Sequence, residues 1–280
     1  MFIKKNNSIM LLCLALLPSV GWAQNDPQFL VVTRVHLNSK ADFTVDQWKA
    51  HEKEYFEKVI QKNDLIVGAN VLVHYYTNDN SEVLLTSAYR TWADIEKADA
   101  KNEELAKAAW PDEAQRKAFF DKQRSFYTGE HSDEIRSILP NTKPLTATTE
   151  HIYYVRTSRR AFPADGKPEE FKKLVDEYCQ NVTLKNSLLK GYYPSRHLWG
   201  ADSRDYIEAF VFSSISEMEK AVEENEKLVK AYWPDEAKRK EALAKYNKYF
   251  DAWHGDAVYK HVPELRKFAA SAANAASAGK

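Results

Sequence analysis

Trp110-Pro111-Asp112-Glu113-Ala114 recurs, 123 residues further on, as Trp233-Pro234-Asp235-Glu236-Ala237. The same offset carries Gly68 onto Gly191, His74 onto His197, His131 onto His254, Asp133 onto Asp256 and Pro140 onto Pro263. Laid over each other without a gap from Phe29 to Pro140, the two stretches are identical at more than a quarter of their positions. A period of this length is too long for a solenoid unit and matches a small domain present twice. The duplication decides the architecture, because each local pattern must hold in both copies.

Each copy presents the same elements in the same order. Phe29–Leu37 and residues 152–158 are rich in strand formers. Thr44-Val45-Asp46-Gln47 is a capping box that opens a helix, and Pro168 falls at the matching first helical position, where its missing N–H costs nothing. Trp48, Tyr55 and Val59 share one helical face, as do Phe171, Tyr178 and Val182. Residues 71–76 and 82–89 predict a hairpin around Asn78-Asp79-Asn80, and residues 196–199 and 205–212 repeat it around Gly200-Ala201-Asp202. A second helix opens at Thr91 and at Ser214, where Ser214-Ile215-Ser216-Glu217 predicts another capping box. The proline of Trp-Pro-Asp-Glu-Ala breaks the helical pattern, and the acids after it suit a new helix start. That motif predicts a helix–helix corner anchored by a Trp. Short apolar alternations at 135–139 and 258–262 predict a fourth strand.

The order β-α-β-β-α-β is the ferredoxin-like split βαβ motif, a sheet covered by helices on one face. The bare face needs a partner, and two copies in one chain supply it. The predicted fold class is therefore α+β, with two tandem ferredoxin-like repeats forming a pseudo-dimeric α+β barrel. The repeats span 26–141 and 150–265, with a linker at 142–149 and an Ala/Ser-rich tail at 266–280. Such a chain stands as a monomer or joins a higher homo-oligomer. In topology, duplication, aromatic-rich strands and long second helix, nearly all of residues 29–263 resembles the dimeric α+β barrel superfamily. The resemblance implies a cavity between sheets. It spans cofactor-free monooxygenases, polyketide cyclases, stress-responsive proteins and haem enzymes such as chlorite dismutases, so it implies no single reaction. Neither half carries a recognisable haem signature, and the expectation is an enzyme with no tightly bound cofactor. The alternative is a non-catalytic ligand-binding or stress-response barrel.

Several side chains suit acid/base or binding work. Strand alternation puts His74 on a face with Leu72 and Tyr76, and His197 with Ser195 and Trp199. A barrel-facing His suits proton transfer near neutral pH. His131-Ser132-Asp133 and His254-Gly255-Asp256 follow the second helix, where the Asp orients the imidazole or caps a turn. Two ligands at that spacing do not make a metal site. Glu208 interrupts an aromatic strand face of Tyr206, Phe210 and Phe212, and its counterpart is the apolar Leu85. Arg156 and Arg34 are candidate partners for that acid or for an acidic ligand. The candidate catalytic residues are thus His197, Glu208 and His74, with Trp199, Tyr206, Arg156, Arg34, His131 and His254 as ligand contacts. More polar and aromatic groups gather in copy two, so the pocket is expected there, with His197 and Glu208 as its polar pair. The expected ligand is a small apolar or aromatic molecule.

The first 23 residues read as a secretory signal: Lys4 and Lys5, a short apolar run, then Gly21-Trp22-Ala23 before the cleavage point. The mature protein is expected in the periplasm or outside the cell. Lys+Arg and Asp+Glu are 40 each over the 280 residues. That balance gives no excess for binding nucleic acid. Past the signal, no segment is apolar and long enough to span a bilayer. Cys179 remains as the single cysteine of the mature chain, which rules out an internal disulfide and reads as a buried small residue. No phosphate loop, nucleophile elbow, Cys-x-x-Cys pair or His-Glu-x-x-His helix is present.

Overall fold

The computed structural model describes residues 27–268. The expected signal at residues 1–23 and the tail from residue 269 onward lie outside the described residues. In chain order the first half contains β1 (Phe29–Leu37), α1 (Val45–Tyr55) prolonged by a π-helical turn (Phe56–Ile60), β2 (Gly68–Tyr76), β3 (Glu82–Tyr89), α2 (Trp92–Ala109), α3 (Glu113–Ser125) and β4 (Tyr127–Ile138). The second half repeats it with β5 (Ile152–Arg160), α4 (Pro168–Asn181), β6 (Gly191–Trp199), β7 (Asp205–Phe212), α5 (Ile215–Tyr232), α6 (Glu236–Asn247) and β8 (Phe250–Lys267).

Local chemistry explains the boundaries. Thr44 accepts from the Gln47 N–H while Gln47 accepts from the Thr44 N–H, so two of the orphan donors at the start of α1 are satisfied. Ser214 caps α5 through the Glu217 N–H, but the Glu217 carboxylate accepts from the Ser213 N–H, so that box closes one residue early. At each Trp-Pro corner the Asp caps the next helix, Asp112 for α3 and Asp235 for α6. Arg116 and Arg239 donate back to the carbonyls of Trp110 and Trp233, which otherwise end their helices unpaired. Gly200 in the second hairpin turn has φ 98°, and a Cβ there would lie 2.3 Å from the Asp133 carbonyl oxygen.

The eight strands close into an antiparallel barrel in the order β1-β3-β2-β8-β5-β7-β6-β4. Each half contributes four neighbouring strands, and two seams join the halves. At one seam Leu72 pairs with His261, and the repeat carries that pair onto Ser195 and Ile138 at the other. The halves are therefore related by a pseudo-twofold. Alternate residues separate the two sheet faces. Val32, Leu72, Leu84, Tyr153, Val211 and Tyr259 pack inside the barrel, together with Leu145 of the linker. The outer faces carry the helices: Val71, Val83 and Tyr89 meet Trp48, Phe56 and Ala98, while Ile152, Tyr192 and Phe212 meet Cys179 and Ala221. The linker is strapped to the barrel, since Arg266 donates to the Leu145 and Ala147 carbonyls and the Leu145 N–H donates to the Tyr193 hydroxyl.

The fourth strands are longer than their apolar alternation suggests. β4 has 12 residues and β8 has 18, because backbone pairing to β1 and β5 continues through exposed polar positions. His131, Asp133, His254 and Asp256 consequently lie within strands and not in turns after a helix. Arg266 and Lys267, assigned by sequence to the tail, end β8. No helix among the described residues is long and apolar enough to cross a membrane.

Candidate functional site

The two helix layers differ in what fills them. In the first half Phe119 of α3 stacks between Trp110 at 4.1 Å and His51 at 4.0 Å, with Phe120 edge-on beside it. The cleft left there, about 550 Å³, is bounded by helix residues such as Tyr55, Asn102, Arg116 and Phe120, and does not reach the strands. In the second half the repeat puts Ala242, Leu243 and Leu174 where Phe119, Phe120 and His51 stand. The aromatic stack is gone. A cleft of about 510 Å³ opens through α4, α5 and α6 down to the sheet, with Tyr154, Arg156, Phe210 and Phe212 as its floor. Tyr178, Met218 and Leu243 are among its walls.

The floor is polar at its centre. Arg156 and Glu208 face each other across β5 and β7, and Arg156 Nη2 donates to Glu208 Oε2 at 2.6 Å. The Tyr192 hydroxyl donates to Glu208 Oε1 at 2.6 Å. The Arg156 side chain is 38% exposed and that of Glu208 only 7%, so the guanidinium is the member that a ligand can touch. Burial disfavours the Arg156 charge, but Glu208 outweighs it and the guanidinium is held more firmly protonated than usual. Beside it the Tyr154 hydroxyl donates to Asp256 Oδ1 at 2.5 Å, and His254 Nε2 lies 3.0 Å from Asp256 Oδ2. Burial, then the bond to Asp256, pushes the Tyr154 phenol above its ordinary value. Tyr178 and Tyr246 are raised by burial as well. The site thus offers phenols held neutral and one cation fixed in the floor, Arg156, with Lys230, Arg239 and Glu226 also lining the cleft among apolar and aromatic side chains. Cys179 behind it is pushed up to about 12, by burial first and Glu208 next, which makes it an inert thiol.

Arg156 and Glu208 do meet, as the sequence suggested, but His197 and Glu208 do not. His197 alternates with Tyr193 onto the barrel face, whereas Glu208 is register-paired with Pro194 and faces the helices. His74 likewise faces the barrel, where its Nδ1 lies 2.7 Å from Thr77 Oγ1. Arg34 also points inward and pairs with Glu82 at 2.7 Å, so it is on the opposite face from Arg156. Tyr206 is buried against Phe171 and Phe250 under the helices. Trp199 stands 64% exposed at the end of β6. His131 and His254 are both exposed, each beside its own Asp. Sequence reasoning missed Tyr154, Tyr178 and Asp256 as members of one site. The signal was available in the repeat, where Tyr154 replaces Val31 and Ala242 replaces Phe119.

Solved structures with a similar fold include a candidate monooxygenase from Fusobacterium nucleatum, with TM-score 0.52 and 11% identity, covering 84% of this chain and 92% of that one. A candidate monooxygenase from Lactobacillus acidophilus gives 0.52 and 7%, covering 86% and 95%. A mutant chlorite dismutase from Candidatus Nitrospira defluvii gives 0.51 and 12%, covering 86% and 94%. The chain has the dimeric α+β barrel fold, closed within one polypeptide by its two ferredoxin-like halves. At these identities the likeness is one of fold. No family model and no curated protein matches the sequence.

Proposed function

We propose that the second-half cleft binds a small molecule with a flat apolar body and an anionic or phenolic oxygen, and that the protein acts on it as an exported enzyme without a resident cofactor. The observation that carries this reading is the asymmetry between the halves. The same helix layer is stacked shut over one sheet and opens onto Tyr154 and Arg156 over the other. An aromatic floor with the Arg156 guanidinium in it, and with Lys230 and Arg239 outnumbering Glu226 in the rest of the lining, suits a planar ligand bearing negative charge. A guanidinium and a protonated phenol side by side also suit stabilisation of an enolate- or phenolate-type oxygen as charge develops on it. That chemistry is compatible with oxygenation, the reaction class of the two candidate monooxygenases that share the fold. In this reading the acid/base role expected of His74 and His197 falls to Tyr154, which borders the cleft.

The haem option meets a poor donor set in this cleft. Its lining includes Tyr154, Tyr178 and Met218 and has no histidine. The residues present do not fit a histidine-ligated haem, and no step is routed through one.

Binding is tested with 8-anilinonaphthalene-1-sulfonate, an anionic aromatic fluorophore. Wild type should enhance its emission, Arg156→Leu should weaken the effect, and Ala242→Phe should abolish it by restoring the first half's plug. Equal binding by wild type and Ala242→Phe would place the dye elsewhere and overturn the cleft as the site. Turnover is then sought in a panel of hydroxyaromatic compounds followed by oxygen uptake and absorbance. Binding without turnover across the panel would favour the non-catalytic alternative.

A further inference from the structure

Both halves keep a His-x-Asp pair on the fourth strand, yet only the second half gives that pair a partner in a cleft. Asp256 accepts from the Tyr154 hydroxyl at 2.5 Å through Oδ1, and His254 Nε2 stands 3.0 Å from Oδ2. Tyr154 borders the cleft, while the His254 side chain is 57% exposed. The three groups therefore line up from the strand surface, where the His254 and Asp256 side chains are 57% and 42% exposed, to Tyr154 at the cleft floor. In the first half the line ends early. Val31 stands at the position of Tyr154, Asp133 accepts from Thr33 Oγ1 at 2.6 Å, and His131 is 3.5 Å from Asp133.

Building on the cleft reading above, we propose that His254 and Asp256 form a proton path that recharges Tyr154, and that Tyr154 is the proton donor to an oxyanion held beside Arg156. In the step, the Tyr154 hydroxyl gives its proton to the ligand oxygen, and the phenolate left behind is stabilised by the adjacent guanidinium. The His254 imidazolium passes a proton to Asp256 Oδ2. The carboxyl group turns and delivers that proton to the phenolate, and His254 takes the next one from water. One proton moves from solvent to ligand per cycle, and no electrons are exchanged. Tyr154 touches the ligand, while Asp256 and His254 act through it. The charged groups facing the phenol are Asp256 on β8, its hydrogen-bond partner, with Arg156 on β5 and Glu208 on β7, already paired; Tyr178 on α4 and Tyr246 on α6 lie nearby, and Glu226 and Lys230 on α5 and Arg239 on α6 line the same cleft. Burial and the bond to Asp256 keep Tyr154 protonated at rest and make it a weak acid, so it gives its proton only to a strongly basic oxygen such as an enolate.

The coupling is read first without ligand, from the His254 ring titration by NMR in the full chain. Tyr154→Phe should raise its midpoint, because Asp256 no longer shares its charge with a phenol. Asp256→Asn should lower it, and His131 in the same spectra should stay put. A His254 midpoint unmoved by Tyr154→Phe overturns the proposal. The second readout is binding of 4-nitrophenol across pH, followed by the probe's own absorbance. Wild type should show an inflection at the His254 midpoint that His254→Gln removes while the affinity above it is retained. If Arg156→Leu weakens binding but the wild-type profile lacks that inflection, the path falls and the cleft stands. If wild type takes up no probe, the cleft reading falls and this proposal falls with it.

Discussion

Arg156 and Glu208 are direct cross-strand partners in the β5–β7 ladder, joined by a 2.6 Å hydrogen bond. Glu208 is nearly buried, and its other acceptor site is used by Tyr192, so its charge rests on two donors. Removing Arg156 alone strands a buried carboxylate, whereas removing both charges restores the first half's pair, Thr33 opposite Leu85. Arg156 is partly wet, which lowers the cost below that of a fully buried pair. Arg156→Thr should destabilise by about 2–3 kcal/mol. Arg156→Thr with Glu208→Leu should cost less than Arg156→Thr alone, even though Tyr192 then lacks its acceptor. A double-mutant cycle in urea measures this, and strictly additive losses would show that the two groups are uncoupled.

The first half carries its own buried polar chain under α1. Trp48 Nε1 donates to the Tyr127 hydroxyl at 2.8 Å, Tyr127 donates to Glu52 Oε1 at 2.9 Å, and Gln123 donates to Glu52 Oε2 at 2.9 Å. The second half dispenses with it, placing Phe171, Phe250, Val175 and Tyr246 at those positions. Tyr127→Phe would leave the Trp48 N–H without an acceptor and Glu52 short of a donor. The expected loss is about 1–3 kcal/mol, because breaking a buried network costs more than replacing it whole. Trp48→Phe, Glu52→Val and Tyr127→Phe together should recover part of that loss. A triple variant less stable than Tyr127→Phe in thermal or urea unfolding would contradict the argument.

The repeat made the barrel legible, because a duplicated unit with one bare sheet face has few ways to bury it. The cap at Thr44, the first-turn proline Pro168 and the Trp-Pro corners were legible too, since their geometry is local. The fourth strands were not. Residues 127–134 are mostly polar, residues 250–257 mix Asp251, His254 and Asp256 with Ala, Gly and two aromatics without apolar alternation, and the strand state of both comes from backbone pairing to a neighbour far along the chain. The His-x-Asp pairs went astray with them. Arg156 and Glu208 could be matched from charge and strand position, but His197 could not be assigned to a face relative to Glu208 without the β6–β7 register. The cleft itself depends on side chains that are missing, Phe119 and Phe120 against Ala242 and Leu243. A one-copy reading has no way to see such an absence.

Because the strands of each half form only one side of the barrel, neither half should be a well-behaved monomer. Residues 24–149 expressed alone would expose Val32, Leu72 and Leu84, which the whole chain buries against Tyr153, Val211 and Tyr259. The expected product is a self-dimer or an aggregate, read by light scattering and size exclusion. Mixing the two halves should return a soluble particle of intact mass. A monodisperse, cooperatively folding single half would mean that the shared core contributes little.

His261 sits 1% exposed where β8 meets the linker, and its Nδ1 accepts from the His151 N–H at 2.9 Å. The ring proton is therefore on Nε2, which has no hydrogen-bond partner among the described residues. Burial is the main cause that pulls this imidazole down to about 4 from an ordinary 6.5, with Arg266 adding to it. The sign follows from proton uptake. Between those two values the unfolded chain binds a proton that the folded chain refuses, so this contribution to stability is whole above 6.5 and is lost as pH falls towards 4. The full loss is up to about 3 kcal/mol. His51, lowered mainly by burial, adds a slope of the same sign. His261→Gln keeps an acceptor for the His151 N–H and removes the titration. Urea unfolding from about pH 7.5 to about pH 4.5 should therefore show the wild type losing more stability than the variant, by about 2–3 kcal/mol at the acid end. Parallel curves would show that His261 is not the group that makes this barrel acid-sensitive.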